Sequence, residues 1–167
     1  MGSVSLPREV EGQAANLARQ HFQEALAQDF SGNAVEDYLP PKWMSTRWNW
    51  FPFDRVRLLG FEPVAPSGDS VYGTVGVDPH EDEMHGPCFI LVLFNDGLRF
   101  RMKNQEHVTA AGQWFIIDDF QTHEVEETDD STTYLVWSVP LKNATAALDQ
   151  QRDLAEGQSH SGQAAIR

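Results

Sequence analysis

Between residues 7 and 29 apolar side chains recur at steps of three and four, with Ala14, Leu17, Ala18, Phe22, Ala25 and Leu26 falling on one face of a helix. Pro7 suits its first turn, and Ser31-Gly32-Asn33 suits its exit. His21 lies beside that apolar face and reads as an ordinary helical histidine. From residue 56 onward the pattern changes to short apolar runs separated by turn residues, which predicts strands. Residues 56–61 (VRLLGF) read as the first sheet strand, and residues 63–70 as a loop. Residues 72–77 form a second strand leading into Asp78-Pro79-His80-Glu81-Asp82. Residues 88–94 (CFILVLF) are apolar without interruption, as expected of a strand buried on both faces.

Turn chemistry orders the remaining runs. Asn95-Asp96-Gly97 predicts a hairpin, because glycine adopts positive φ without steric cost. Residues 98–102 are then expected to return antiparallel to the preceding strand. Gly112 opens another strand over residues 112–118, and residues 134–139 (YLVWSV) close the series. Residues 141–154 suit a modest helix. The Gly-, Ser-, Gln- and Ala-rich residues 156–167, which include His160, have little to bury and are expected to be disordered. Between helix and strands, Tyr38, Trp43, Trp48, Trp50, Phe51 and Phe53 are interleaved with Pro40, Pro41 and Pro52. They suit a packing layer between helix and sheet, and the same rings could form a pocket wall. The expected organisation is therefore one domain in three parts. Residues 1–55 carry the helix and the aromatic segment packed on a barrel, residues 56–141 the core, and residues 142–167 the terminal helix and tail.

Composition narrows the partners. A formal charge of −13 and a pI near 4.7 disfavour nucleic acid, since phosphate backbones would be repelled. A local basic groove around Lys42, Arg47, Arg55 and Arg57 remains compatible with that balance. Asp118, Asp119, Glu124, Glu126, Glu127, Asp129 and Asp130 crowd the sequence around His123 and read as a solvated acidic loop. Cys88 is the single cysteine and sits at the head of the apolar run, so it reads as a buried thiol. No apolar stretch approaches the ~20 residues needed to cross a bilayer, and the first residues do not form a signal sequence. A cytoplasmic protein is the expectation. The edges of its sheet would permit a dimer.

The chemistry is concentrated in His80, Asp82 and the distant His123. Side chains alternate along a strand, so His80 and Asp82 point the same way and Glu81 the other. A histidine from a neighbouring strand would complete a set of two imidazoles and one carboxylate. Such a set holds ferrous iron on one side and leaves the opposite positions open. His85, together with Glu81 or Glu83, offers an alternative set with His80 and His123. His107, in a polar segment, reads as exposed.

The stretch from residue 72 to residue 140 resembles the double-stranded β-helix of the cupin superfamily, and within it the iron and 2-oxoglutarate-dependent oxygenases. The likeness rests on His80-Glu81-Asp82, on the glycine and strand pattern of residues 112–118, and on Thr122-His123-Glu124-Val125. It implies an α+β, mainly β, jelly roll with the amino-terminal helix packed on the sheet. It also implies Fe(II) held by His80, Asp82 and His123, 2-oxoglutarate as co-substrate, and hydroxylation of a small-molecule or peptide substrate. The family's basic anchor for 2-oxoglutarate has no counterpart a dozen residues after His123, where Thr132, Thr133, Tyr134, Leu135, Val136 and Trp137 stand. Arg99 and Arg101 are the substitutes. If Leu98, Phe100 and Met102 line the barrel the two arginines look outward, and if the arginines line it the apolar face is covered from outside. A metal-dependent cupin of another reaction, such as an isomerase or an oxygenase without 2-oxoglutarate, and a non-catalytic jelly-roll binding protein are the other readings.

Overall fold

The computed structural model describes residues 2–27, 35–38, 51–64, 70–82, 86–102, 105–107, 110–126 and 133–143. Helix α1 (Arg8–Ala27) covers the predicted amphipathic stretch. Its buried positions Val10, Ala14, Ala18 and His21 follow the expected three- and four-residue steps. A second helix, α2 (Asp54–Leu58), stands where residues 56–61 were expected to extend as a strand. The apolar run misleads there because only Val56 is buried, while Leu58 is 88% exposed. Arg57 bonds Asp54 one turn back, and Gly60, at φ 87°, redirects the chain. Arg57 also bonds Glu62, which stands just beyond that turn.

The strands are β1 (Gly2–Ser3), β2 (Val35–Tyr38), β3 (Phe61–Pro63), β4 (Ser70–Thr74), β5 (Val77–His80) and β6 (Pro87–Asn95). They continue as β7 (Arg99–Met102), β8 (Gln105–His107), β9 (Gln113–Asp118), β10 (His123–Glu126) and β11 (Tyr134–Asn143). Two antiparallel sheets result. The larger runs β1-β9-β6-β11-β4-β2 with β3 also paired to β11, and the smaller runs β5-β10-β7-β8. Within them the eight strands β4 to β11 give the orders β9-β6-β11-β4 and β5-β10-β7-β8. The chain changes sheet at nearly every connection, which is the winding of an eight-stranded jelly roll, or double-stranded β-helix. With α1 packed on it, the fold is the mainly β jelly roll with an added helix expected from the sequence.

The larger sheet is buried on both faces. Phe89, Leu91, Leu93, Trp114, Leu135, Trp137 and Val139 form an outer core with Val10 and Ala14 of α1, Val56 of α2, and Phe51 and Phe53. The rings of Phe51 and Phe53 lie 4.7 and 5.2 Å from that of Phe89, so these two aromatics are packing residues. Trp43, Trp48 and Trp50 lie outside the described residues. Alternate side chains of the same strands, Cys88, Ile90, Val92, Phe115, Ile117, Tyr134 and Val136, face inward. There they meet Phe100 and Val125 of the smaller sheet. Burial on both faces is why residues 88–94 show no polar alternation.

Two connections differ from expectation. Asn95-Asp96-Gly97 is a sharp turn, with Gly97 at φ 93° and Leu98 bonded through both backbone groups to the Asn95 amide. It does not join paired strands. Both edges of β6 are occupied by β9 and β11, so β7 crosses to the other sheet and pairs with β10 and β8. At the carboxyl end, β11 continues to Asn143 because Leu141 to Asn143 pair with β3. The helix expected from residue 141 is therefore replaced by strand for three residues, and the remainder lies outside the described residues. Gly112, at φ 90°, turns the chain into β9 where its carbonyl accepts from the Val4 amide. A side chain there would strike the Val4 carbonyl.

Candidate metal centre

His80 ends β5, an edge strand, and His123 begins β10 beside it; the two residues are directly opposed. Strict alternation would not have produced this pairing. Val77 pairs with Val125 and faces the inner core, so an uninterrupted ladder would set Pro79 against His123 and turn His80 outward. The register shifts between these two pairs, with one extra residue on β5, which brings His80 to the face of His123. Bulges of this kind re-aim side chains, and the edge position accommodates Pro79, which has no N–H to donate.

Asp82 lies beyond the strand, where its amide donates to the Asp119 carbonyl at 2.9 Å. Its Oδ1 is 3.8 Å from His80 Nε2, and its Oδ2 is 3.4 Å from His123 Nε2. Ligand atoms of the three residues all lie within 4.8 Å of one another. Donors in neighbouring positions around one ion, each bonded at ~2.1 Å, stand about 3 Å apart, so modest contraction closes the set.

The imidazoles are oriented by the backbone. His80 Nδ1 lies 2.9 Å from the Asp78 carbonyl, and His123 Nδ1 lies 2.8 Å from the Gln121 carbonyl. A carbonyl can only accept, so each Nδ1 carries a proton, and Nε2, on the side of Asp82, is the ring atom placed to hold a metal. Two imidazole nitrogens and a carboxylate facing one point form a donor set that suits ferrous iron. His123 is buried at 8% exposure, with the Phe100 ring beneath it. His80 and Asp82 are half-exposed, at 38% and 42% of their side chains. One side of the cluster is therefore walled and the other is open to solvent.

Arg99 and Arg101, expected as the anchor for 2-oxoglutarate, stand elsewhere. His123 pairs with Met102 and Val125 with Phe100, whereas Glu124 pairs with Arg101 and Glu126 with Arg99. Residues directly opposed across a ladder share a face, so both arginines lie on the face away from His123. Arg101 is bound there by Glu126 at 2.8 Å and Glu124 at 3.8 Å. The apolar face of β7 is the inner one, which resolves the alternative left by the sequence. His85 and Glu83 lie outside the described residues, as do Glu127, Asp129 and Asp130. Glu81 is not among the three clustered residues and accepts a hydrogen bond from Thr122.

Asp119, read from the sequence as part of a solvated acidic loop, is instead buried beside Cys88, and its amide donates to the Gly86 carbonyl at 3.0 Å. Burial, and then the Asp119 carboxylate, push the Cys88 thiol far above its usual range. Cys88 is thus the buried thiol expected. Ser138, across the strand pair, lies 3.8 Å from its sulfur. Phe120 is half-exposed on the turn between β9 and β10. No sequence period could have signalled Asp119 and Phe120, which belong to the turn between β9 and β10, whereas Ser138 follows the alternation of β11 with Tyr134 and Val136.

No family model and no curated protein matches the chain. Solved structures with similarity include an RmlC-like cupin from Desulfovibrio desulfuricans, 18% identical, covering 48% of this chain and 80% of that one at a TM-score of 0.34. A cupin-2 domain protein from Shewanella frigidimarina is 13% identical, covering 55% and 96% at 0.33. A protein from Ralstonia eutropha described as a putative mannose-6-phosphate isomerase is 13% identical, covering 48% and 82% at 0.30. The strand order given above is the ground on which this chain's fold is a double-stranded β-helix, or jelly roll. Among the described residues no helix is long and apolar enough to cross a membrane.

Proposed function

We propose that the chain binds ferrous iron through His80, Asp82 and His123 and oxidises a small-molecule or peptide substrate with dioxygen. The observation that carries this reading is the convergence of two Nε2 atoms on the Asp82 carboxylate, each ring held in that orientation by a backbone carbonyl. When bound, the iron would supply activation of dioxygen. The chain's own residues do the rest. Asp82 provides the charge that retains a cation, and the two carbonyl bonds prevent the imidazoles from rotating away. Phe100, Met102 and Val125 place apolar surface on the inner side, which keeps water from the buried flank. The exposed flank of His80 and Asp82 leaves room for substrate.

Use of 2-oxoglutarate is the finer form of this proposal, and Arg99 and Arg101 do not support it from the outward face. Their placement favours the second reading, an oxygenase that works without 2-oxoglutarate. Anaerobic loading with Fe(II), followed by oxygen uptake measured with and without 2-oxoglutarate, separates the two. Succinate formed in step with oxygen uptake selects the first. One iron per chain, lost in both Asp82→Ala and His123→Ala, supports the metal centre. Iron content unchanged by both substitutions would overturn it.

A further inference from the structure

The two segments that carry the proposed ligands are held to each other unequally. His123 sits in β10, which pairs over four positions with β7 and is fixed by the sheet. His80 ends an edge strand paired to β10 alone, through two registered positions separated by a bulge. Asp82 is outside any strand, tied to the β9–β10 turn by its amide bond to Asp119. Between His80 and Asp82 stands Glu81, whose Oε1 accepts a hydrogen bond from Thr122 Oγ1 at 2.8 Å; Thr122 is the residue before His123.

We propose that Glu81 and Thr122 form a staple that sets the distance between the His80–Asp82 segment and His123, and so act as positioning residues for the metal centre. The inference rests on the metal-binding reading above. Both residues are exposed and outside the cores, so the fold does not depend on them. Their bond is the side-chain link between the middle of the H-x-D triplet and the residue adjoining the third ligand. It holds the two ligand-bearing segments together before a cation arrives. Loss of an outer partner of this kind weakens metal binding by about tenfold or more.

The test is titration of the metal-free full chain with manganese(II) alone, by calorimetry, in parent, Thr122→Val, Thr122→Ser, Glu81→Ala and the double variant Glu81→Ala/Thr122→Val. Thr122→Val and Glu81→Ala are each expected to weaken binding about tenfold, and Thr122→Ser to stay within about twofold of the parent. The double variant should be no weaker than either single one, because both remove the same bond. Amide exchange at Asp82 in the metal-free protein should accelerate in Thr122→Val and not in Thr122→Ser, with the melting temperature nearly constant. A parent that binds manganese while the single variants match it would overturn the staple alone, and so would singles that multiply in the double variant. A parent that binds no manganese, with Asp82 exchange still accelerated in Thr122→Val, overturns the metal reading and leaves the mechanical link standing.

Discussion

Replacing Asp82 with Asn keeps the shape of the side chain and removes one charge from the centre of the ligand set. The oxygens it replaces lie 3.8 and 3.4 Å from the two Nε2 atoms, so the amide would still fit between the rings. For a divalent ion bonded at about 2.1 Å, the attraction of one carboxylate is about 4 kcal/mol even at the dielectric constant of water. That limit applies because the Asp82 side chain is 42% exposed. It corresponds to a Kd weaker by roughly 10³. With metal at about 100 times the parent's Kd, binding stabilises the parent by about 2.7 kcal/mol, and by less than about 0.1 kcal/mol in the variant. For a chain of this length the parent should gain roughly 5–11 °C in melting temperature on adding metal. Asp82→Asn should gain nothing measurable. The assay is thermal unfolding of chelator-treated protein with and without manganese(II) or anaerobic Fe(II). A variant that keeps the metal-induced rise would show that Asp82 is not a ligand and that the convergence of the three side chains is incidental. Because Asp82 lies outside the cores, the metal-free melting temperatures should agree within a few degrees.

Arg101→Gln is expected to leave metal affinity unchanged and any dependence on 2-oxoglutarate within about twofold. It should cost less than ~1 kcal/mol, since its ion pairs are half-exposed on the outward face; a large rise in the 2-oxoglutarate requirement would contradict the face assignment. Phe89→Ala empties the space among Phe51, Phe53, Trp114 and Trp137, and urea unfolding should show a loss of about 3–5 kcal/mol with metal affinity little changed below the midpoint. A loss under about 1 kcal/mol would mean that these rings do not pack as described. Cys88 should resist alkylation in the native protein at pH 8, because burial and Asp119 disfavour its thiolate. Its folded-state pKa is raised, so the unfolded chain releases this proton first, above about pH 8.5. Its contribution to stability is therefore complete below that pH and declines above it, by up to about 1.4 kcal/mol per pH unit. Cys88→Ala should lack that component of the slope, and an identical alkaline profile in the two proteins would refute the assignment.

Local pattern determined much of this protein. The period of α1 was written in Ala14 and Ala18, and the burial of β6 on both faces in its unbroken apolar run. The turn at Gly97 followed from its residue types, and the ligand candidates from the H-x-D triplet and a later histidine. Each depends on neighbours a few positions away, whose spacing a chain cannot hide. Tertiary structure decided what involves distant partners. Residues 54–58 became a helix although residues 56–61 read as a strand, since only Val56 of them found a core to enter. β7 left its expected partner because β9 and β11 had taken both edges of β6. The arginines were turned outward by the register of β7 against β10. Above all, one extra residue in β5 brought His80 opposite His123 where alternation alone would have placed Pro79. Register is a relation between two strands, set by what each buries and which edges are free, and no single stretch of sequence contains it.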